Sequence, residues 1–298
     1  MVDPVTLTLG VLDYMTPILV ASVGEIIAER SGVVNIGIEG MMLFSAFAAA
    51  VAAYETGSPL LGLLAGVAAG LLLSLLHAVV SVYLNGDQII SGIGINFLAY
   101  GASVVGLYAV WGQPSASPPV PTLPSLVALG VSVASTSIAA IPIVIASWWM
   151  LEKTTLGLRL SACGEDPRSA EAMGVNVHRM RLLAVLIGGA MAGYAGAHLA
   201  VGVLGGFSKT ITGPGRGFIA LANVAFSNWN PLLAVLGAYV FGFFDTLSIA
   251  LSEGLQQLAL GYPVKTIPYL ATIAVLAVVA KVRGTRMPRA LGKPYIKE

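Results

Sequence analysis

Residues 152–181, EKTTLGLRLSACGEDPRSAEAMGVNVHRMR, are the longest polar run in a chain that otherwise reads as membrane. The run holds Lys153, Arg159, Arg168, Arg179 and Arg181, five of the fifteen cationic residues. A short helix signal lies inside it. Asp166 can cap, Pro167 suits the first helical position, and Gly174 can stop the helix. That leaves about seven helical residues, roughly 10 Å. Ala170 and Met173 fall on one face, with Val175 just beyond. So small an apolar face is a poor core element. It suits a knob for a groove on another protein, or an ordinary amphipathic loop helix at a membrane surface.

The composition around this run bounds the class. Hydrophobic residues make up 57% and charged residues 10%, against about 25% charged in soluble domains. Mean hydropathy is +0.88. Several apolar runs are long enough to cross about 30 Å of hydrocarbon. The expectation is an all-α polytopic membrane protein with about eight to ten spans, read as one domain over 1–298. Cys163 is the sole cysteine, so no intrachain disulfide can form. No basic segment precedes the first apolar run, so the first span is expected to act as the insertion signal.

Spans are expected near 7–28, 33–54, 60–83, 89–111 and 136–151, with a half-helix at 125–133 and a proline-rich loop, GQPSASPPVPTLP, at 112–124. After the polar run come 182–204, 231–252 and 266–283. Gly62, Gly66 and Gly70, and then Gly189, Gly193 and Ala197, recur every four residues, each set leaving a flat face for close helix contact. After 182–204, GGFSKTITGPGRG (205–217) is a glycine-rich break, and GFIALANVAF (217–226) is too short to span alone. The tail beyond residue 280 carries Lys281, Arg283, Arg286, Arg289, Lys293 and Lys297. Together, tail and polar run hold eleven of the fifteen cations. Both are expected on the cytoplasmic side, the C-terminus (about 284–298) included. The crossings between them must then be even in number, so 217–226 is expected to complete a broken one.

GVVNIGIEGMM (32–42) and GPGRGFIALANVAF (213–226) are paired, glycine-interrupted elements in the two halves. Such pairs are the best sequence pointer to a transport site near the midplane. Ionisable residues within spans are expensive and usually functional; here they are Glu25, Glu39, His77, His198, Asp245 and Glu253. Asn35, Glu39, Asn96 and Asn223 are the expected polar lining of a substrate path. Asn35 and Glu39, four apart, would share a helix face. The competing reading of all these groups is interhelical hydrogen-bond glue, favoured for the lone His77 and His198, which define no metal site. Lys209 and Arg216 lie near the expected outer surface, where interfacial anchoring is one reading of them. GVLGGFSKT (202–210) is not a phosphate loop, because Lys209 follows serine rather than glycine. No spacing supports a hydrolase, so no catalytic residues and no metal are expected.

GEIIAERSGVVNIGIEGMML (24–43), GDQIISGIGINFLA (86–99), GEDPRSAEAMGVNV (164–177) and GPGRGFIALANVAFSNWNP (213–231) together resemble permease subunits of ATP-binding-cassette (ABC) importers. The group is that of simple-sugar and nucleoside permeases served by basic-membrane-protein-type binding lipoproteins; branched-chain amino acid permeases are more distant. The resemblance implies a multi-pass permease in the cell membrane, working by alternating access on a nucleoside or simple sugar, a hydroxyl-rich neutral solute that the amides and carboxylate of the expected path would suit. Its implied partners are two ATPase subunits that use ATP, a second and longer permease, and an extracytoplasmic solute-binding lipoprotein, which would dock near Lys209 and Arg216. It implies no nucleic acid partner and no cofactor on this chain. The polar run becomes the coupling helix that docks on the ATPase, with Gly164, Glu165, Asp166, Ala170, Glu171, Met173, Gly174 and Val175 as its residues. Where the family pattern has an alanine pair before the glycine, this chain reads Ser169-Ala170-Glu171-Ala172. The rival reading is an ion-coupled secondary transporter or channel driven through Glu39, Asp245 and Glu253.

Overall fold

The computed structural model describes residues 4–128, 130–212, 215–255, 270 and 287–296. The expected span at 266–283 and the side chain of Glu253 lie outside the described residues. The described chain is helical, in the order α1 (Pro4–Arg30), α2 (Ile38–Thr56), α3 (Pro59–Ala78), α4 (Gln88–Trp111), β1 (Ser125–Ala128), β2 (Val131–Ala134), α5 (Ser135–Lys153), α6 (Thr155–Glu165), α7 (Pro167–Ala172), α8 (Val177–Ala197), α9 (Arg216–Phe226) and α10 (Pro231–Leu255). Among the described residues, seven helices are long and apolar enough to cross a membrane, and α9 is a shorter apolar one.

α1 is the centre of the bundle. It packs against α5, α8, α9 and α10, and its polar residues are consumed by that enclosure. Pro17 lacks an amide and so leaves the Asp13 carbonyl without its helical donor. His198 Nε2 takes that carbonyl at 2.9 Å, while its Nδ1 faces the Thr136 hydroxyl at 2.6 Å. His198 also opens a wider π-wound turn, His198–Leu204, that prolongs α8. The Asp13 carboxylate accepts the Ala134 amide at 3.0 Å and the Ser137 hydroxyl at 2.6 Å, which fixes the start of α5.

The two small-residue stripes meet each other. A Cβ on Gly70 would strike the Gly189 carbonyl and Gly193, one on Gly66 would strike Ala197, and one on Gly189 would strike Ser74 and the Gly70 carbonyl. α3 and α8 therefore touch backbone to backbone, as helices do in lipid when dispersion contact rather than hydrophobicity holds them.

The half-helix expected at 125–133 is instead a hairpin, β1–β2, pairing Ser125 with Ala134 and Ala128 with Val131. Gly130 at φ +80° cannot continue a helix, and Val131-Ser132-Val133 alternates with the period of a strand. The polar run also holds more helix than its signals suggested. α6 precedes α7 as a separate helix, and α8 starts at Val177 rather than 182. The proline-rich loop is zipped to the glycine-rich break. Ser117, Val120 and Leu123 donate their amides to the carbonyls of Phe207, Gly205 and Val201 at 2.8 to 2.9 Å.

Candidate functional site

Between α1 and α2 the backbone is irregular, and it lies among apolar helices where each unpaired peptide group would be costly. Four side chains, from α1, α3 and α4, satisfy it. Gln88 Oε1 accepts the Val34 amide at 2.8 Å, and His77 Nε2 donates to the Val34 carbonyl at 3.1 Å. Glu25 Oε1 accepts the Asn35 amide at 2.7 Å. Asn96 Nδ2 donates to the Ile36 carbonyl at 3.0 Å, and its Oδ1 accepts the Gly40 amide at 2.7 Å. His77 thus joins His198 as interhelical glue. Glu25 and Asn96, conspicuous as polar groups in apolar runs, hold a broken helix open.

Asn35 does not share a helix face with Glu39. It lies ahead of α2, fully enclosed, with Nδ2 3.3 Å from Met41 Sδ. Asn223 is equally enclosed; its Nδ2 donates to Ser22 Oγ and the Ala234 carbonyl, both at 3.0 Å, and ties α9 to α1 and α10. In this conformation neither amide faces an open path. A buried amide among helices is drawn to backbone carbonyls and hydroxyls, which are the nearest partners in a dry bundle.

Glu39 joins the two broken elements. From the first turn of α2 it crosses to α9, where Oε2 accepts the Gly217 amide at 2.6 Å and Oε1 accepts the Thr212 hydroxyl at 2.6 Å. It therefore caps α9 from another helix, placing a carboxylate where the helix dipole and unpaired amides favour one. Arg216, the first residue of α9, is not at an outer surface. It is only 8% exposed. Its Nε and Nη2 reach Asp245 Oδ2 of α10 at 2.9 and 2.7 Å, and Nη1 reaches the Ile211 carbonyl at 3.0 Å. Away from water a guanidinium takes the available carboxylate, and this pair occupies Asp245 as well.

A cavity of about 680 Å³ opens at this junction, lined by Glu39, Asn96, Phe97, Tyr100, Lys209, Thr210, Thr212 and Phe218 among others. Of the four expected path residues it gathers Glu39 and Asn96. Lys209 lies on its wall. Sequence reasoning missed Phe97, Tyr100 and Phe218. Phe97, 75% exposed, and Tyr100 are three apart on α4, and that spacing beside Asn96 was the available signal. Among the described residues no three His, Cys, Asp or Glu are grouped to hold a metal.

At the end of the bundle that carries α6 and α7, the α9–α10 turn is clamped to α1. Trp229 takes a left-handed conformation, φ +58°, which is costly for an aromatic residue. Its indole donates to Glu29 Oε2 at 2.6 Å, and its carbonyl accepts Arg30 Nε at 3.0 Å; Arg30 also pairs with Glu152 at 2.7 Å. α7 itself is capped by Asp166, whose Oδ1 accepts the amides of Arg168 and Ser169 and whose Oδ2 accepts the Ser169 hydroxyl at 2.6 Å. The Ser169 hydroxyl, and then the amides, hold this carboxyl below its ordinary pKa. Burial pushes the Cys163 thiol up. Gly174 ends α7 at φ +84°. Gly164 lies against the Arg30 carbonyl with no room for a Cβ, and Glu165 faces Arg289 at 3.9 Å. The apolar face expected of Ala170, Met173 and Val175 is divided. Ala170 and Val175 pack inward with Cys163, and Met173 stands 85% exposed beyond the helix end. The turn into Gly174 rotates Met173 away from Ala170. Leu158 of α6 is a second exposed apolar side chain at this end.

A family described as the permease component of branched-chain amino acid transport systems matches residues 7–282. The chain is 37% identical to a guanosine ABC transporter permease protein of Bacillus subtilis over 306 residues, 96% of this chain and 95% of that one. It is also 37% identical, over 317 residues and 95% of each chain, to a permease protein of Haloferax volcanii assigned to glucose transport. The fold is similar to that of an inward-facing ABC transporter of metal-chelate type, with a TM-score of 0.56 and 17% identity over 95% of this chain and 90% of that one. With its apolar spans, two broken helices and a matching profile over nearly its whole length, the chain belongs to the permease-component family of branched-chain amino acid transport systems, as a membrane permease of an ABC importer.

Proposed function

We propose that the chain forms the translocation path for a nucleoside, paired with a second permease. One observation carries this reading: the cavity at the broken-helix junction combines three aromatic rings, Phe97, Tyr100 and Phe218, with the polar groups of Asn96, Thr210, Lys209 and Glu39. Base stacking on such rings is worth about 1–3 kcal/mol per base and tolerates different bases. The polar groups offer donors and acceptors to a ribose. The guanosine permease relative supports the same substrate class. Lys209 stands where an incoming solute or a binding protein would meet it.

The end bearing α6 and α7 faces the cytoplasm in this reading, since Arg159, Arg168, Arg179, Arg289 and Lys293 cluster there. α7 with Met173 and Leu158 docks on a separate ATPase, which supplies the ATP chemistry; this chain adds none. Nucleotide binding by the ATPases favours one conformation of the permease pair, and a loaded binding protein favours the same one. The ion-coupled alternative is less favoured, because the Glu39 carboxylate is taken up by Thr212 and Gly217, and that of Asp245 by Arg216.

Uptake of labelled guanosine into proteoliposomes holding the permease pair, ATPases and binding protein tests the reading. ATP-dependent uptake that unlabelled glucose does not compete is expected. Replacing Phe97 by Ala should lower it about tenfold, the equivalent of one lost stacking contact. Uptake driven by an ion gradient without ATP would overturn the ABC mechanism, and full competition by glucose would overturn the substrate.

A further inference from the structure

The segment 287–296 has no helix or strand, yet it is fastened along its length. The Ala290 amide donates to the Gly164 carbonyl at 2.8 Å, and the Gly292 amide to the Gly32 carbonyl at 3.2 Å. Arg181 of α8, 1% exposed, donates Nη1 to the Lys293 carbonyl at 3.0 Å and Nε to the Ser31 carbonyl at 3.1 Å. A Cβ on Gly32 would meet Arg181 Nη2 at 2.7 Å, so the guanidinium is wedged against the turn after α1. At the other end of the segment, Tyr295 donates its hydroxyl to Glu171 of α7 and packs on Cys163, Ala170 and Val177. Its ring centre is 5.4 Å from that of His178.

A buried arginine needs a reason, because its desolvation is expensive and, among the described residues, no carboxylate pairs with it. What it holds is carbonyls from two chain segments at once: Ser31 at the start of the irregular turn, and Lys293 in the strap. We infer that Arg181 and Tyr295 are positioning residues that make 287–296 a rigid strap, carrying displacement of α7 to the 31–37 turn and on to Glu39. The turn is in place to receive it. Beyond Gly32 its backbone is gripped by Gln88, His77, Glu25 and Asn96, and three of these grips are within 3.0 Å. Glu39 then reaches Gly217 of α9 and the cavity. Strap and turn are thus joined by hydrogen bonds to peptide groups, which transmit position better than apolar side chains that can slide. The inference rests on the reading that α7 is the ATPase dock.

The assembled transporter with Tyr295→Phe tests it, because this change removes one hydroxyl and leaves the ring packing. The expected result is normal capture of the ATPase, retained ATP hydrolysis, and solute moved per ATP hydrolysed lowered by about tenfold or more, the scale of one hydrogen bond to a charged group. Hydrogen exchange supplies a readout that mere structural support would not move. In the unaltered transporter, adding nucleotide should change protection of the amides between 33 and 40; in Tyr295→Phe the change should stop at α7. Arg181→Lys, which keeps the charge and loses the two-sided grip, should behave the same way. Unaltered transport per ATP together with an unaltered exchange response in Tyr295→Phe would overturn the strap. Loss of ATPase capture in the variant alone would overturn it too, by making the segment part of the dock. Absence of ATPase capture by the unaltered chain would instead sink the functional reading beneath it.

Discussion

The α3–α8 interface and the α2–α9 junction lie in the same apolar surroundings and are built in opposite ways. α3 and α8 meet through Gly66, Gly70, Gly189 and Gly193, and nothing but van der Waals contact is needed because both helices keep their own hydrogen bonds. α2 and α9 are each broken. Their contact is made of a carboxylate on a peptide amide, with an arginine–aspartate pair and an amide side chain nearby. An intact helix can be packed with nothing, whereas a broken one must be packed with polar groups. The first arrangement leaves no room for even a Cβ at its glycines. The second consists of polar bonds at the wall of a cavity.

The comparison is broken most severely at its rigid side. Gly70→Leu forces a side chain into the Gly189 and Gly193 backbone, and should cost about 3 kcal/mol or more, read as loss of a monodisperse, thermally stable protein in detergent. Gly94→Leu on α4 is the contrast: a Cβ there meets nothing within 4 Å, so the change should lie within about 0.5 kcal/mol of the parent. If the two behave alike, the stripe is not what holds the bundle.

The polar side should break by smaller steps and recover when both partners go. Arg216→Met leaves Asp245 without its cation and should cost about 2 kcal/mol, less than for a fully dry pair because Asp245 is partly exposed. Adding Asp245→Leu should restore most of it in thermal denaturation; a double variant no better than the single would show that the pair does more than neutralise itself. Glu39→Gln keeps an oxygen for the Gly217 amide but loses the charge at the α9 N-terminus. A stability loss near 1 kcal/mol with a larger fall in uptake is expected. Equal, small effects on both would remove the junction from the transport path.

The smallest effect belongs to pH at the α7 cap. The Asp166 carboxyl has its pKa lowered in the folded chain, so the ionised form is the one that caps. Its contribution is fully present above the ordinary aspartate value, about 3.9, and is lost as pH falls through the lower folded value. Protection of the Arg168 and Ser169 amides, corrected for intrinsic exchange rates, should therefore be flat from about pH 5 to 8, and Asp166→Ala should lose it throughout that range.

The seven spans among the described residues, the two stripes of small residues, the Asp166 cap and the Gly174 stop were all legible in the sequence, because each depends on local chemistry: apolar length, four-residue spacing, a cap, a glycine. The pairing of the broken elements was legible as a pattern. The membrane setting also made every buried polar residue visible as an exception, though not what the exception was for. Glu25, Glu39, Asn96 and Asn223 all read as path residues or glue, and only the fold separated them, by bringing a peptide group, a cavity or another helix to each. Arg216 read as a surface cation because Asp245, twenty-nine positions away, gives no local sign of being its partner. The hairpin at 125–134 read as helix because a short apolar run has no period of its own until a neighbouring strand supplies one. Likewise the strap at 287–296 read as a basic tail, since its role depends on Arg181, Gly32 and Glu171, which only the folded chain brings together. The sequence by itself determined which segments enter the membrane and where they break. The tertiary structure alone decided which polar groups repair those breaks, because that is set by long-range geometry and not by any spacing along the chain.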